Sequence, residues 1–578
     1  MEKIWKLKQL YPEDGGKGYA RFDTFINEVR NLNGKIKIPE SVAKLLYMRG
    51  VTDYSKVFKF FKPTIDKLYD PSLMKGCDLA TQIILQCIES KEKVMVLGDY
   101  DVDGIIGASM FSLFLKHNNV EVSVFIPNRI NQEYGLSNYA IDEAYSQGIK
   151  LLVAIDCGIT ATNTVEYANE KGVQIIICDH HQPPDKLPEA FAIMDPIQQG
   201  CDYPFKHLCG TGVAFKLIQS VCNIRKDVKF AHSLLDFVAI ATSSDIVPII
   251  DENRILVNEG FNIINNKPRL SIKALIEKIG IKESKVNTSN IVFSLAPRIN
   301  AVGRLGEASR AVDLLTSEDE SVMTELATIL DDENANRREI DKIITENAFE
   351  LYEDEFKAAN DYCIVLHNND WHPGVISIVA ARLVEKYNRP AIVLTTIKDS
   401  AKGSARSING FNVYEALKKC EPLLIQYGGH CHAAGLEIDV KNIDELRRRI
   451  NVIAKEELVK EELQPEIEVD MELSFEEINP TFSKILSFFE PFGPGNPQPV
   501  FITRNVTIVD EVRYTKTDAH VFKISNGKSD KVWNAIQYNS KNFAGKITKD
   551  AECDICYSID KNFKNGYTKF VIKDIIIH

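Results

Sequence analysis

The sequence predicts an α/β protein: a doubly wound parallel sheet, a long connecting helix, a second and smaller α/β unit, and a small all-β barrel at the C-terminal end. Three observations predict it. Between Thr81 and Met194, short apolar runs alternate with amphipathic stretches. Residues 321–356 carry apolar positions at helical spacing, without Gly or Pro. Past a Pro- and Gly-rich stretch, "EPFGPGNPQPVF" (Glu490–Phe501), the chain holds only short alternating runs, punctuated by Asn526-Gly527 and Asn565-Gly566.

At 578 residues the chain is too long for one core, and three or four domains are expected. Residues 1–75 read as a small, mostly helical lead-in. The first α/β unit is placed at 76–320. Its expected order is helix Thr81–Ser90, strand Val94–Leu97, helix Ile105–Lys116, strand Val122–Ile126, a helix near Tyr139–Gln147, strand Leu151–Ile155, a helix near Thr162–Lys171, strand Gln174–Cys178 and a short run Phe191–Met194. Apolar strands alternating with helices make a parallel sheet covered on both faces. Ligands of such sheets sit beyond the carboxyl ends of the strands. The connecting helix is assigned to 321–358. Strand Tyr362–Leu366, helix Val375–Tyr387 and strand Ala391–Leu394 open the second unit, 359–460. Residues 461–578 are expected to hold the barrel, and its length fits an OB-like fold.

Composition excludes several classes. Hydrophobic content of 44% and charged content of 26% are those of a globular protein. The first residues, "MEKIWKLKQLYPEDGG", have no apolar h-region, and no apolar run approaches the ~18 residues of a membrane span. A cytoplasmic protein without membrane contact is expected. The net charge of −12 argues against wholesale coating of nucleic acid, but it is uneven. From Phe501 onward, 13 Lys+Arg face 9 Asp+Glu, so a locally basic tail succeeds an acidic body. That points to an anionic partner there. The 12 cysteines do not suggest a disulfide scaffold and read as reduced, buried thiols. Cys553-Asp-Ile-Cys556 falls in an expected strand, where residues three apart face opposite ways, which disfavours a zinc or redox site.

The chemistry lies in the residues just past each strand. "LGDYDVDGIIG" puts Asp99, Asp101 and Asp103 after the first strand, at alternate positions. An extended chain would point all three to one side. Asp156 comes after the third strand in "AIDCG", Asp179-His180-His181 come after the fourth, and the apolar segment "LLDFVAIATSSDIVP" leads to Asp245. Any single one of these is as well explained as a helix cap or turn residue. The set is not: like charges this close repel, and burial sharpens the repulsion. Carboxylates with imidazoles suit Mn²⁺ or Mg²⁺. Two such ions ~3.5–4 Å apart clamp the attacking and leaving oxygens of a phosphoryl transfer.

The order "GDYDVDG", "AIDCG", "CDHH" and "SSDIVP" resembles the DHH phosphoesterase superfamily. The resemblance extends through "HLCGTGVAFKL", "LAPRINAVGRLG", "WHPGVISIVAARL", "GSARSINGF", "YGGHCHAAG" and "PFGPGNPQPVF" to the RecJ family of single-strand-specific exonucleases, over roughly residues 75–510. It implies one ion on Asp99, Asp101 and Asp156, and a second on Asp103, Asp156, His180 and Asp245, with Asp156 bridging. It also implies that His181 contacts the scissile phosphate or a metal-held water, and that Asp179 orients a histidine. One departure is the Gln-Glu-Tyr-Gly of residues 132–135, where the family more often has Glu-Gly-Tyr-Gly.

For the substrate, Arg129 is expected at the sheet edge that carries the metals, and Arg304 in the turn "NAVGR". "GSARS" and "GGH" of the second unit offer Ser404, Arg406 and His430, with glycines that let backbone N–H groups approach an anion. A narrow cleft between the two units would admit one strand and not a duplex. The barrel could stack bases on Phe522, Tyr538 or Tyr567, although each is better explained as core. The reading is a Mn²⁺- or Mg²⁺-dependent 5'-to-3' exonuclease on single-stranded DNA that releases 5'-mononucleotides. The resemblance implies a role in DNA repair and recombination beside a helicase and a single-strand-binding protein, and a monomer is expected. The alternatives are a nanoRNase or cyclic-dinucleotide phosphodiesterase of the same superfamily, which the C-terminal barrel disfavours, and an inactive DNA-binding scaffold, which the complete ligand set disfavours.

Overall fold

The structure is a computed structural model and describes residues 3–9, 17–30, 38–128, 135–281, 285–305, 307–356, 361–459, 463–515, 518–527, 531–538, 547–561 and 568–578. Strand β1 (Ile4–Leu7) belongs with the C-terminal part of the chain. The first sheet is built from β2 (Val94–Gly98), β3 (Val122–Phe125), β4 (Leu151–Ile155), β5 (Gln174–Cys178) and β6 (Ala192–Met194), in the order β3-β2-β4-β5-β6, all parallel. Alternate residues feed opposite faces. Val94, Val96, Val153 and Ile155 join Phe111, Phe114 and Phe215 of helices Val102–His117 and Gly210–Arg225. Met95, Leu97, Leu152 and Ala154 join Ile141 and Val165 of helices Asn138–Ser146 and Thr162–Lys171. Each fully buried aliphatic side chain is worth about 1.5–3 kcal/mol, so the interior fixes where the strands end. The chain leaves β2 for β3 on one side and returns to β4 on the other. That reversal opens a crevice at the carboxyl ends of β2 and β4.

The long helix Glu320–Leu351 comes next, its start capped by the Asp319 carboxylate, which accepts from the Ser321 and Val322 N–H groups. A second sheet has β7 (Ile364–His367), β8 (Ala391–Ile397), β9 (Ser400–Arg406), β10 (Leu424–His430) and β11 (Ala433–Asp439), in the order β10-β11-β9-β8-β7. Only β7 and β8 pair in parallel. Its register lines up Arg406, Ala433 and His430 in one row, and Ser404, Gly435 and Gly428 in the next row on the same face.

The C-terminal part carries β12 (Glu466–Val469), β13 (Met471–Glu472), β14 (Val500–Ile508), β15 (Arg513–Tyr514), β16 (Ala519–Ser525), β17 (Trp533–Tyr538), β18 (Glu552–Lys561) and β19 (Thr568–Ile577). The pairings β14–β16, β16–β17, β17–β19, β19–β18 and β18–β14 close a five-stranded barrel in which β17–β19 is the parallel pair. This is the partly open barrel of an OB fold. Phe522 lies in its core, which excludes it as a stacking platform; Tyr538 is exposed. Tyr567 and the Asn565-Gly566 turn lie outside the described residues. Cys553 and Cys556 are both buried but enter different clusters, as their odd spacing in a strand requires. The N-terminal segment docks here rather than standing alone. β1 pairs with β12, and Phe22, Phe25, Leu46 and Val57 share a core with Phe482, Phe489 and Phe501. Among the described residues, no helix is long and apolar enough to cross a membrane.

Candidate active site

The acidic loop does not stay extended. Beyond Gly98 the chain enters helix Val102–His117, with Asp101 as its N-cap, accepting from Asp103 N (2.9 Å) and Gly104 N (3.3 Å). The Val102 N–H donates to Asn300 Oδ1 at 3.0 Å. A Cβ on Gly104 would run into the Asp99 backbone, so this tight turn requires glycine. Because the chain turns, the three carboxylates separate. Asp99 and Asp101 gather with Asp156, while Asp103 gathers with His180 and Asp245, and a third group joins Asp156, His180 and His181. Within each group the ligand atoms lie within 4.8 Å of one another.

Asp103 sits on the first turn of helix Gly210–Arg225. Its Oδ2 accepts from Gly210 N (2.6 Å), its Oδ1 from Thr211 N (2.9 Å), and its carbonyl from Thr211 Oγ1 (2.7 Å). The free N–H groups and dipole of a helix start suit a carboxylate. Asp156 has φ of 64°, a left-handed conformation held as its N–H donates to Cys178 O at 2.9 Å. A Cβ on Gly210 would stand 2.5 Å from Asp156 Cβ, so only glycine lets this helix approach. Asp179 accepts from the N–H groups of His180 (2.7 Å), His181 (3.1 Å) and Ile159 (3.0 Å), and pairs with His181 Nδ1 at 2.7 Å. His180 Nε2 stands 3.2 Å from Asp156 Oδ1 and 3.6 Å from Asp245 Oδ2.

The electrostatics are those of a cation site. Burial, with the charges of Asp103, Asp101, Asp99 and Asp245, pushes Asp156 well above the usual carboxylate range. Burial and Asp103 push Asp245 up to about 6. Asp179 goes the other way: despite its burial, the His181 hydrogen bond and charge hold it at about 2. His181, despite its burial, is raised to about 9 by Asp179 first, then by Asp245 and Asp99. Buried Asp156 Oδ1 and Asp245 Oδ2 accept no hydrogen bond among the described residues. An all-oxygen-and-imidazole donor set with unsatisfied buried oxygens fits Mn²⁺ or Mg²⁺.

On the facing domain, Ser404 and Arg406 of β9 are joined by an Nη1–Oγ hydrogen bond of 3.2 Å, and His430 ends β10, on the far side of β11. Burial and the charges of His181 and His180 push His430 down, so it lies within electrostatic reach of the metal edge. Cβ atoms on Gly428 and Gly435 would meet nothing within 4 Å, so the floor between these side chains is open. Arg304 donates to Gly374 O and Ser377 Oγ, both at 3.1 Å, and thereby ties the two domains together. Arg129 and residues 132–134 of the loop lie outside the described residues. The sequence reading gave no role to Gly210, Thr211 and Asn300. The helix-start glycine of "CGTG" was the available signal for the first two; Asn300 lies in the motif "LAPRINAVGRLG", but nothing there points to Val102, 198 residues away.

The chain resembles known proteins along most of its length. The family described as the DHH family, N-terminal domain, matches residues 93–242, the DHHA1 domain 360–456 and the RecJ OB domain 469–574. The single-stranded-DNA-specific exonuclease RecJ of Bacillus subtilis is 36% identical over 95% of this chain and 70% of its own length. A crystal structure of RecJ in complex with Mn²⁺ from Thermus thermophilus superposes with a TM-score of 0.81 at 25% identity, covering 99% of this chain and 79% of that one. The corresponding Mg²⁺ complex gives a TM-score of 0.75 at 24% identity, covering 99% and 78%.

Proposed function

The chain belongs to the RecJ family of single-stranded-DNA-specific exonucleases, and from that premise we propose that it hydrolyses single-stranded DNA from the 5' end and releases 5'-mononucleotides. The observation that carries this is the sharing of Asp156 between two ligand groups at the crevice of a parallel sheet. Bound divalent ions supply charge neutralisation and activate water for in-line attack. Asp99, Asp101 and Asp156 would hold one ion, and Asp103, Asp156, His180 and Asp245 the other. The protein's own groups do the rest. Asp179 occupies His181 Nδ1, which leaves Nε2 to meet the scissile phosphate. Arg406, Ser404 and His430 stand over an open floor, where a 5'-terminal phosphate would set polarity. The clasp of Arg304 on Gly374 and Ser377 ties the two domains together, and a cleft between them too narrow for a duplex would select one strand. Tyr538, with Lys569 Nζ 5.9 Å from its ring centroid, offers the barrel a stacking and charge contact for the incoming strand.

The same reading gives the protein a cytoplasmic place in DNA repair and recombination, on strands opened by a helicase and covered by a single-strand-binding protein. Product analysis of a 5'-labelled single strand against the matching duplex, with Mn²⁺ and Mg²⁺ in parallel, tests it. The expected result is labelled mononucleotide from the single strand alone. Labelled dinucleotides, release from the 3' end, or equal cutting of the duplex would contradict it.

A further inference from the structure

Asp245 is the one metal candidate with no strand behind it. It closes helix Leu235–Ser244 in extended conformation, and residues 246–250 beyond it are irregular. Local bonds fix its immediate turn, Ile246 N to Asp245 Oδ1 (3.0 Å) and Val247 N to Asp245 O (2.8 Å), and Asn253 Nδ2 reaches Pro248 O at 3.0 Å. The segment is also held from almost 250 residues away. Ile249 N donates to Pro494 O at 2.7 Å. Gly493 packs on buried Ile249 so closely that a Cβ would stand 2.5 Å from its Cγ1. Gly495, at φ of 72°, packs on Pro248 and Ile250, which a Cβ would approach to 3.0 and 3.2 Å.

The loop that grips is itself rigid. Gly493 and Asn496 exchange backbone hydrogen bonds, and Asn496 Nδ2 donates to Phe489 O (2.7 Å) and Pro491 O (2.9 Å). The buried Arg254 guanidinium donates to the carbonyls of Phe488, Phe489, Glu490 and Pro491. Asn253 completes the frame. Its Nδ2 donates to both Pro248 O (3.0 Å) and His207 O (2.6 Å). Pro248 lies three residues past Asp245, and His207 three residues before Gly210, whose N–H holds Asp103. Asp103, His180 and Asp245 are one ligand group, so this frame braces two of its three members.

We infer that the loop Gly493–Asn496 at the entry to the C-terminal barrel is a positioning element for the Asp103–His180–Asp245 metal position, so that docking of the barrel sets the affinity of that position and not of the Asp99–Asp101–Asp156 one. The inference rests on the two-ion reading of the site. A sequence-level boundary rich in Pro and Gly is thereby a clamp rather than a linker.

Mn²⁺ titration calorimetry on the full chain, without DNA, tests it. Asp245→Asn and Asp99→Asn first identify which binding event belongs to which position. Gly493→Ala should then weaken the Asp245 event by about tenfold or more, as loss of an outer support does, and leave the Asp99 event within about twofold. The double variant Gly493→Ala/Ile249→Ala removes the colliding Cγ1 and should restore the lost affinity; it also serves where Gly493→Ala alone folds poorly. Unchanged affinities in Gly493→Ala, equal weakening of both events, or no restoration by Ile249→Ala would overturn the proposal. Two intact events in both Asp245→Asn and Asp99→Asn would overturn the metal reading itself.

Discussion

The Asp99–Asp101–Asp156 group and the Asp103–His180–Asp245 group stand side by side but are built in different ways. Asp99 and Asp156 come directly after Gly98 and Ile155, which are paired in register at the ends of adjacent strands. Sheet register alone puts those carboxylates side by side. Asp103, His180 and Asp245 come from a helix start, a loop past β5 and a helix end, and no ladder aligns the three. Their alignment comes from Gly210, Thr211, Asn253 and the loop at Gly493. Two of the three members of the first group thus follow from the strand ladder, and Asp101 joins them as the cap of helix Val102–His117. The second depends on contacts that cross domains, so it is the half that distant changes should reach.

The strongest way to break the site is Asp156→Ala, since Asp156 stands with Asp99 and Asp101 in one ligand group and with His180 and His181 in another. Metal-dependent nuclease activity on a 5'-labelled single strand should fall by more than the ~10–100-fold that loss of an outer partner costs. The charge carries a second signature. Asp156→Asn removes a buried repulsion, so the metal-free chain should unfold at a higher temperature than the parent while its gain in stability on adding Mn²⁺ shrinks. A lower unfolding temperature for metal-free Asp156→Asn would contradict the electrostatic account.

Gly210→Ala comes next, and it tests the contact between the halves. The new Cβ would meet Asp156 Cβ at 2.5 Å and Oδ1 at 2.9 Å, while the N–H to Asp103 is retained. A displacement of this size at a reacting centre costs about 10²-fold. The loss should appear in turnover at saturating DNA, with strand binding by anisotropy unchanged.

These contrasts also show what the sequence could say. The parallel sheet was legible because short continuous apolar runs alternate with amphipathic stretches, and the long helix because a period of 3.6 reports local geometry directly. The acids were legible because they sit at strand ends, where such sheets place ligands. The turn at Val102 was not. Alternating Asp99, Asp101 and Asp103 suggest one face of a strand, whereas Asp101 caps a helix, and that cap splits the three carboxylates between the two halves. Nor were the braces legible. Asn300 meets Val102, and Pro494 meets Ile249, across separations that carry no periodic signal. The stretch "EPFGPGNPQPVF" looked like a boundary by composition, and only its contacts with Arg254 and Ile249 reveal a packed loop.

Asp179→Asn should cost about 10–100-fold in activity and should change the pH dependence of stability in the metal-free chain. In the folded state His181 is raised to about 9, chiefly by Asp179 once burial is overcome, and Asp179 is held at about 2. The raised histidine contributes stability below its unfolded value of about 6.5, and this is lost as pH rises through about 9. The lowered carboxyl contributes stability above about 4, lost as pH falls through about 2. The pair is therefore fully stabilising between about pH 4 and 6.5. Asp179→Asn should flatten the decline from pH 6.5 to 9 in thermal unfolding; an unaltered slope would remove His181 from that decline.

The smallest effect sharpens the comparison most. Asn300 Oδ1 takes the N–H of Val102, one of the donors that a helix start leaves without an intrahelical partner. Asn300→Ala removes an acceptor from a partly buried donor, a change of about 0.5–1.5 kcal/mol. It acts on the turn between Asp101 and Asp103, and the Asp103 carboxylate keeps its own hold on Gly210 N and Thr211 N. In Mn²⁺ titration it should weaken the Asp99 event by roughly two- to tenfold and leave the Asp245 event in place, the mirror image of Gly493→Ala. Asn300→Asp keeps an acceptor at the same point and should recover the loop geometry, while adding a charge that the metal-free chain tolerates less well. If Asn300→Ala weakens both events alike, the halves are one mechanical unit and their different construction has no energetic meaning. If the two variants divide the events between them, the site is two sites with separate supports, joined only through Asp156.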